Sequence, residues 1–353
     1  MTDTTERALA PRVGTVGIYA TGSRLDVVRQ ARALTGRVTL GGASGKRALA
    51  ALAAARDLYG VDLDPADYMQ RTKVSAQIEL FEVDWEARQR DLGLDVVRSN
   101  GVHVGRKDQR CLRHAFTTPV SSGTVRVVSI EDWWLRDGLP DLLAHIRACD
   151  DSLAFVLANC FDPFDAVGAV DGLRALLDTT RSGGRRVELL RADVTAIGFA
   201  ATGGSFGTIG TSTATRHHGL PLSNRAARER EVRLRSAYVF VPALLSWHRG
   251  TELGALSQFD GAGITGCDCS LCDGRDLMRF TGEWNDKVPT AISDEAHAHD
   301  LHSCVALTRR ILASPDPAAA WIEACQSAVA TAAGVASVYK VRLTVPASIS
   351  AWR

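Results

Sequence analysis

The stretch Thr124-Val125-Arg126-Val127-Val128-Ser129-Ile130 decides the fold class of this chain. It is a short run rich in β-branched residues, which predicts a buried β-strand. A helical spacing of apolar residues over 135–148 follows it, and the pattern then repeats as a strand over 153–158, a helix over 166–177 and a strand over 187–190. Strands that alternate with helices in this way predict parallel βαβ units, and therefore an α/β protein.

The same alternation extends over most of the chain. About eight short apolar runs alternate with helical patterns between residues 13 and 241. This number of βα units favours a closed barrel over a small open sheet. The turn after the first strand, Ala20-Thr21-Gly22-Ser23, lacks the glycine fingerprint of a dinucleotide-binding sheet, and the glycine-rich stretch 41–46 lacks the spacing of a phosphate loop. We therefore predict a (β/α)8 TIM-like barrel over residues 1–260.

Three acids near predicted strand ends are the candidate catalytic residues: Asp132, Asp162 and Asp193. Catalytic groups of a barrel gather at the carboxyl ends of its strands. One carboxylate at such a site can act as nucleophile or as general acid and base, and another can accept a hydrogen bond from a ring N–H. The alternative role for each of these acids is to cap the helix that follows it.

Five further residues near predicted strands are the candidate substrate-binding residues: Ser99, Asn100, Gly203, Gly204 and Arg216. The two glycines begin a glycine-rich stretch that runs to residue 210. Such a stretch lets a planar, purine-like base lie close to the backbone, or lets two strands pack closely. The sequence leaves both interpretations open.

A second motif, Cys267-Asp268-Cys269-Ser270-Leu271-Cys272, lies downstream of the predicted barrel. Three thiols and one imidazole form a ligand set that suits a closed, tetrahedral Zn²⁺ site, and closed sites are structural. We therefore predict a zinc-binding segment, with C-terminal helices packed on the barrel, over residues 261–353.

The fourth ligand of this site is open among four nearby residues: His297, His299, His302 and Cys304. We favour His299, because it lies directly before Asp300, which is a suitable N-cap for a helix with an apolar stripe. A ligand at the start of that helix would tie the helix to the cysteine loop.

The composition indicates a cytoplasmic protein. The chain has eight cysteines in 353 residues, without the spacing of a disulfide framework. Its first residues do not have the pattern of a signal peptide, and its most apolar run is shorter than the roughly 20 residues that a membrane span needs. The net charge is +1, so a nucleic-acid-binding surface would have to be local.

The cysteine loop and the histidine together resemble the tRNA-guanine transglycosylase family. That family has a Cys-x-Cys-x-x-Cys loop followed by a histidine in a His-Asn-Leu-type stretch that opens a helix. This chain has His299-Asp300-Leu301-His302, which begins 27 residues after Cys272. The resemblance covers residues 266–312 and implies a zinc-bearing barrel. It also implies exchange of a guanine in nucleic acid for a 7-deazaguanine base, through a covalent sugar intermediate on an aspartate with acid–base help from a second aspartate.

The aspartate motifs of that family do not occur at the matching positions. The nearest counterpart of its Asp-Ser-Gly-Gly-Phe-Gln stretch is Arg98-Ser99-Asn100-Gly101-Val102, which contains no acid. The strand expected to carry the nucleophile, Tyr238-Val239-Phe240-Val241-Pro242, also contains none. Any catalytic carboxylate must therefore come from other strand ends.

Two functions of different class follow from this pattern. In the first, the chain is a divergent pentosyl transferase that exchanges a purine-like base in tRNA, or in DNA as related DNA-modifying proteins do. In the second, it is a non-catalytic relative that keeps the zinc segment and binds nucleic acid or a partner enzyme. An arginine-rich stretch over 225–235 could meet phosphates, although Glu229 and Glu231 within it favour a solvated helix. The resemblance also implies a homodimer or heterodimer.

Overall fold

The computed structural model describes residues 14–69, 84–159, 162–210, 212, 215–219, 235–257, 263–284, 287–339 and 345–352. Their strands are β1 Thr15–Ala20, β2 Val38–Gly41, β3 Val61–Asp64, β4 Val102–Val104, β5 Arg126–Glu131, β6 Leu153–Asn159, β7 Val187–Ala192, β8 Phe206–Gly210, β9 His218–Gly219, β10 Tyr238–Val241 and β11 Ser246–Arg249. Their α-helices are α1 Leu25–Thr35, α2 Gly42–Ala54, α3 Trp85–Asp91, α4 Gln109–Thr117, α5 Leu139–Arg147, α6 Ala169–Ser182, α7 Thr195–Ala201, α8 Gly250–Ser257, α9 Thr290–Leu312, α10 Pro317–Tyr339 and α11 Ala347–Ala351.

The first eight strands form one curled parallel sheet. Their order is β3-β2-β1-β8-β7-β6-β5-β4, so strands that are consecutive in sequence lie side by side, except β3 and β4, and β1 pairs with β8. Most residues of these strands are buried, as expected for a parallel sheet that is covered on both faces. This is the circular order of a (β/α)8 barrel, and the predicted fold class is confirmed.

The seam of the barrel lies between β3 and β4, which form no strand ladder within the described residues. Contacts outside the ladders span it instead. The Asp67 amide donates to the carbonyl of Asn100 at 3.1 Å, and the Arg98 guanidinium donates to the carbonyl of Leu63 at 3.3 Å. The two strands are therefore held together by the chain that flanks them.

The prediction of eight strands included one wrong assignment and one omission. The strand Tyr238–Val241 is not part of the barrel, because it pairs antiparallel with Ser246–Arg249 in a separate two-stranded sheet. The third barrel strand, Val61–Asp64, was not predicted. Its sequence, Val-Asp-Leu-Asp, contains two acids that are both almost fully buried and partnered, which hides the usual apolar signal of a buried strand.

The cysteine loop is inserted between the eighth strand of the barrel and its last outer helix. Helix α9 follows the loop and contacts α1, α7 and β1, which places it at the position of the eighth helix of the barrel. Leu301, Cys304 and Val305 of α9 belong to the core of the barrel, whereas Ala296 packs in a second core together with the three cysteines. The predicted domain boundary at residue 260 remains a prediction. Helix α9 packs both against the barrel and against the core that contains the cysteines.

A buried ion-pair network lies at the amino end of the barrel. The Arg98 side chain is fully buried and donates to Glu188 Oε2 at 2.8 Å, and it lies 3.6 Å from Asp62. Replacing Arg98 with Ala would leave the two carboxylates short of one cation, so we expect the free energy of unfolding to fall by about 3–5 kcal/mol. Urea unfolding measures this loss. Arg88→Ala, at an exposed site on α3, is the control and should unfold like the wild type.

Candidate functional site

Four buried side chains converge next to the barrel: Cys267, Cys269, Cys272 and His299. One ligand atom from each lies within 4.8 Å of all the others. The His299 Nδ1 atom is 3.6 Å from the sulfur of Cys267, 3.8 Å from that of Cys269 and 3.1 Å from that of Cys272. The cluster has the donor set and the convergence of a four-coordinate metal site.

The cysteine loop is a tight turn that points its thiols to one side. The Cys272 amide donates to the carbonyl of Cys269 at 2.9 Å, and the Gly274 amide donates to the carbonyl of Cys267 at 3.0 Å. Gly274 has a φ of 79°, a left-handed conformation that favours glycine, so it allows the chain to turn back after the third thiol.

The orientation of the His299 ring is fixed from the side opposite the thiols. Its Nε2 atom lies 2.8 Å from the carbonyl oxygen of Phe240 and must donate to it, which leaves Nδ1 as the atom that carries a lone pair toward the sulfurs. The neighbouring Asp300 accepts from the Phe240 amide at 2.7 Å and from Trp247 Nε1 at 2.8 Å. The cluster therefore joins the cysteine loop, the β10–β11 hairpin and helix α9.

The other residues considered for the fourth ligand lie elsewhere. His302 contacts Ser270 Oγ through Nδ1 at 2.8 Å, and Cys304 is buried in the core of the barrel. His297 lines a cleft with Arg24 and Asp294 near the carboxyl ends of β1 and β8. Only His299 among these residues reaches the three thiols.

The thiols differ in their tendency to ionise. A hydrogen bond with Cys267 lowers the pKa of Cys269, with further help from His299 and Ser303, and the same hydrogen bond raises the pKa of Cys267. Burial raises the pKa of Cys272, while the Arg279 guanidinium, which donates to its sulfur at 2.8 Å, opposes that rise. Cys269 is therefore the thiol of the cluster that most readily forms a thiolate, the form that binds metal.

A second cluster lies at the carboxyl end of the barrel and consists of Asp162, Asp193 and His217. The His217 Nε2 atom lies 3.8 Å from Asp162 Oδ1 and 3.8 Å from Asp193 Oδ2. One ligand atom from each residue lies within 4.8 Å of the others. Two carboxylates and an imidazole at this spacing suit acid–base and nucleophilic chemistry, and the same donors can also bind a divalent cation.

Three neighbouring segments carry the residues of this cluster. Asp162 follows β6, Asp193 follows β7, and His217 precedes the short strand β9, which pairs with the end of β6. The backbone of Arg191 has a φ of 54° and its carbonyl accepts from the His217 amide, so a bend at the end of β7 makes room for β9. Each acid also accepts from a backbone amide two residues on, at 2.8 Å for Asp162 and 2.7 Å for Asp193.

The surroundings push the pKa values of the two acids apart. Burial, and then the charge of Asp193, raise the pKa of Asp162 to about 7 despite the opposing effect of His217. Burial also disfavours ionisation of Asp193, but the nearby His217 imidazole and the hydrogen bond from the Thr195 amide outweigh it and lower the pKa of that acid. At neutral pH the pair therefore combines an ionised Asp193 with an Asp162 that readily holds a proton.

Further polar groups line the mouth of the barrel beside this pair. The hydroxyls of Tyr19 and Tyr68 donate to Asp64 Oδ2 at 2.8 and 2.6 Å. Ser129 Oγ lies 3.2 Å from His103 Nδ1 and 3.0 Å from His218 Nδ1. Burial lowers the pKa of His218 to about 4, so that imidazole is neutral at pH 7.

The predicted site residues are only partly brought together. Asp162 and Asp193 meet, whereas Asp132 is ion-paired with Arg136 at 3.2 Å in the 3₁₀ turn after β5. Ser99 Oγ accepts from the Val127 amide at 2.9 Å, a contact within the barrel wall. Arg216 lies at the mouth, with its guanidinium carbon 4.0 Å from the centre of the Trp247 ring.

The remaining predicted positions lie away from the acid pair or support the backbone. The Asn100 carbonyl accepts a hydrogen bond from the Asp67 amide across the seam of the barrel. Gly203 and Gly204 precede β8 at the opposite, amino end of the barrel, where a Cβ on Gly203 would meet Arg181 and one on Gly204 would meet Phe199. These glycines serve close packing in the structure. The predicted arginines at 225, 228, 230 and 233 lie outside the described residues.

Sequence reasoning did not select His217, the residue that links the two acids. The adjacent pair His217-His218, shortly after a predicted strand, was the available signal. Asp64 was missed together with its strand, because its position at a carboxyl end is apparent only once β3 is recognised.

Comparisons of the chain with models of protein families, with curated proteins and with solved structures found no match. In the described part of the chain, none of the helices combines the length and the apolar character that are needed to cross a membrane.

Proposed function

We propose that this protein is a base-exchange transglycosylase acting on nucleic acid, a divergent relative in function of the tRNA-guanine transglycosylases. The observation that carries the proposal is the pair Asp162–Asp193, held against His217 at the carboxyl end of a (β/α)8 barrel. Exchange of a base needs one carboxylate at the sugar and one proton donor at the leaving base. The lowered pKa of Asp193 and the raised pKa of Asp162 supply one group for each role.

In the proposed reaction, Asp193 is the nucleophile. Its carboxylate attacks C1′ of the nucleotide, the glycosidic C–N bond breaks, and the leaving base takes the proton of Asp162. The incoming base then gives a proton to Asp162 and attacks C1′, which breaks the ester to Asp193. The close approach of the two carboxylates favours this double displacement, since retaining glycosidases separate their carboxyl groups by only about 5–5.5 Å.

We further propose that the ion held by Cys267, Cys269, Cys272 and His299 is Zn²⁺. Three thiolates and one imidazole are a ligand set that zinc prefers, and four protein ligands leave no open position for chemistry. The ion would then stabilise the cysteine loop against α9 and the β10–β11 hairpin. Free, scattered thiols elsewhere in the described chain support a cytoplasmic location as part of the same proposal.

Incorporation of labelled guanine, or of a labelled 7-deazaguanine base, into bulk tRNA and into duplex DNA tests the proposal. Incorporation into either polymer by the metal-loaded protein is the expected result, and the polymer that is labelled identifies the substrate. Absence of label in both would favour the second candidate, a non-catalytic subunit that keeps the metal site.

The pH dependence of exchange should report the proton on Asp162. Its pKa of about 7 means that the acid is protonated below pH 7 and ionised above it. Because the leaving base needs that proton, kcat/KM should fall as the pH rises through about 7, by roughly tenfold per pH unit beyond it. A profile from pH 5 to 9 measures this fall. Asp162→Asn should lower the rate and remove that limb, whereas an unchanged limb in this variant would assign the titration to another group.

A further inference from the structure

One segment at the mouth of the barrel has a high density of exposed positive charge. Arg106 and Lys107 lie in the loop after β4, and Arg110 and Arg113 follow on α4; we refer to these four residues as the α4 basic surface. All four are exposed, and none forms an ion pair with a residue in the described part of the chain. Arg24 and Arg136, also near the mouth, are by contrast ion-paired, Arg24 with Asp26 and Asp294 and Arg136 with Asp132.

The charges of the α4 basic surface do not favour the fold of the segment that carries them. Arg106, Lys107 and Arg110 surround the amino end of α4, where the helix dipole favours acids and opposes cations. Lys107 also has a φ of 62°, an uncommon conformation for a residue with a side chain. Two nearby acids are already engaged, since Asp108 caps α4 through the Cys111 amide and Asp141 accepts from Gln109. Charged residues at positions where they do not stabilise the local fold are typical of functional surfaces.

The position of the surface is fixed relative to the catalytic end of the barrel. Trp134 Nε1 donates to the carbonyl of Gly105 at 3.0 Å, which anchors the start of the loop to the segment after β5. The opposite face of α4 is anchored by Leu112, Ala115 and Phe116, which are all buried. The cations therefore stand on a rigid support, at the same end of the barrel as Asp162 and Asp193.

We infer that the α4 basic surface binds the phosphodiester backbone of the nucleic acid whose base is exchanged at Asp162 and Asp193. This inference rests on the proposed function for the identity of the ligand. Arginine and lysine on a firm support bind phosphates without reading sequence, and they set the register of the strand relative to the site. A duplex or a folded RNA extends beyond the barrel mouth, so its flanking phosphates need a basic surface beside the site.

Direct binding tests the inference without any requirement for chemistry. Fluorescence anisotropy of the full chain with labelled bulk tRNA, and with a labelled DNA duplex, is measured over a range of salt concentrations and without incoming base. The test variant is R106Q/R110Q/R113Q. The matched control is R56Q/R147Q/R310Q, which removes three exposed arginines near the carboxyl ends of α2, α5 and α9, at the opposite end of the barrel.

For the polymer that the wild type binds, the test variant should bind about 100-fold more weakly at about 50 mM salt. The slope of log binding constant against log salt concentration should be smaller in magnitude by about 2–3 for the test variant. Each lost phosphate contact removes about 0.7–0.9 from that slope. The control should match the wild type. The single variants Arg110→Gln and Arg113→Gln should each give part of the loss, which keeps the test valid if the triple variant folds poorly.

Two results would overturn the inference: equal binding by the test variant and the control, or no binding of either polymer by the wild type. Equal binding by the test variant and the control contradicts the inference alone, whereas a wild type that binds neither polymer contradicts the proposed function as well. A wild type that binds through the surface but exchanges no base contradicts the proposed function alone. A test variant that exchanges base with an unaltered KM contradicts the inference alone.

Discussion

Cys269→Ser is expected to destabilise the protein by more than about 4 kcal/mol and to reduce its bound zinc well below one ion per chain. The four ligand atoms are buried and lie within 4.8 Å of one another, so the loss of one thiolate leaves an incomplete ligand shell. Loss of a structural metal is among the few single changes that cost this much. Elemental analysis and thermal unfolding, with and without a chelator, measure both effects.

The control for this change is Cys111→Ser, a partly buried cysteine on α4 that is remote from the cluster in sequence and fold. It should keep one zinc per chain and lose little stability. Two results would contradict a single structural metal at this cluster. A Cys269→Ser protein as stable as the wild type would mean that the cluster holds no structural metal, and two ions per wild-type chain would place a metal at the Asp162–Asp193 pair.

The effect of metal removal should extend to the catalytic end of the barrel. Asp300, next to the ligand His299, accepts from Trp247, and the Trp247 ring lies against the Arg216 guanidinium. Arg216 directly precedes His217, the residue between the two acids. The cluster therefore supports the segment that positions His217, so we expect metal removal to disturb the acid pair as well.

Asp193→Asn is expected to lower kcat/KM for base exchange by at least about 10³-fold while leaving the fold intact. An amide cannot form the ester to C1′, and removal of a covalent nucleophile commonly costs this much or more. Such a loss corresponds to about 4 kcal/mol of transition-state stabilisation. Initial rates of base incorporation measure it, and circular dichroism checks the fold.

Asp132→Asn is the matched control, since it makes the same change at a strand end outside the cluster. It should retain exchange activity near that of the wild type. If Asp132→Asn were inactive and Asp193→Asn active, the nucleophile would be the acid paired with Arg136, and the assignment of the site would be wrong.

The parts of the fold that follow from local patterns were predictable from sequence. The strands β5, β6 and β7 are rich in apolar residues, and their alternation with helices indicated the barrel. The third strand was not predictable in this way, because Asp62 and Asp64 lie inside the barrel with partners supplied by Arg37, Tyr19 and Tyr68. Such partners come from distant segments that a local pattern does not reveal.

The candidate site was predictable to a similar extent. The spacing of the cysteines indicated three ligands, because it is a local feature. The expectation that a helix starts at Asp300, which favoured His299, is wrong. Helix α9 runs from Thr290 to Leu312, and Asp300 lies within it and accepts from the Phe240 amide and from Trp247 Nε1. The acid pair was only partly predictable, because the strand ends suggested Asp132 as strongly as Asp162 and Asp193. What distinguishes them is the bend at Arg191 and the insertion of β9, which bring His217 between two of the acids.

Detection of a covalent adduct between the protein and nucleic acid is the most direct test of whether Asp193 is the nucleophile. The zinc-loaded protein is incubated with labelled tRNA or duplex DNA without incoming base, quenched in denaturant and separated on a denaturing gel, and the adduct is mapped by mass spectrometry. We expect an adduct on the peptide that contains Asp193, formed by the wild type and by Asp132→Asn but not by Asp193→Asn. An adduct that survives Asp193→Asn, or base exchange without any adduct, would contradict this assignment of the nucleophile.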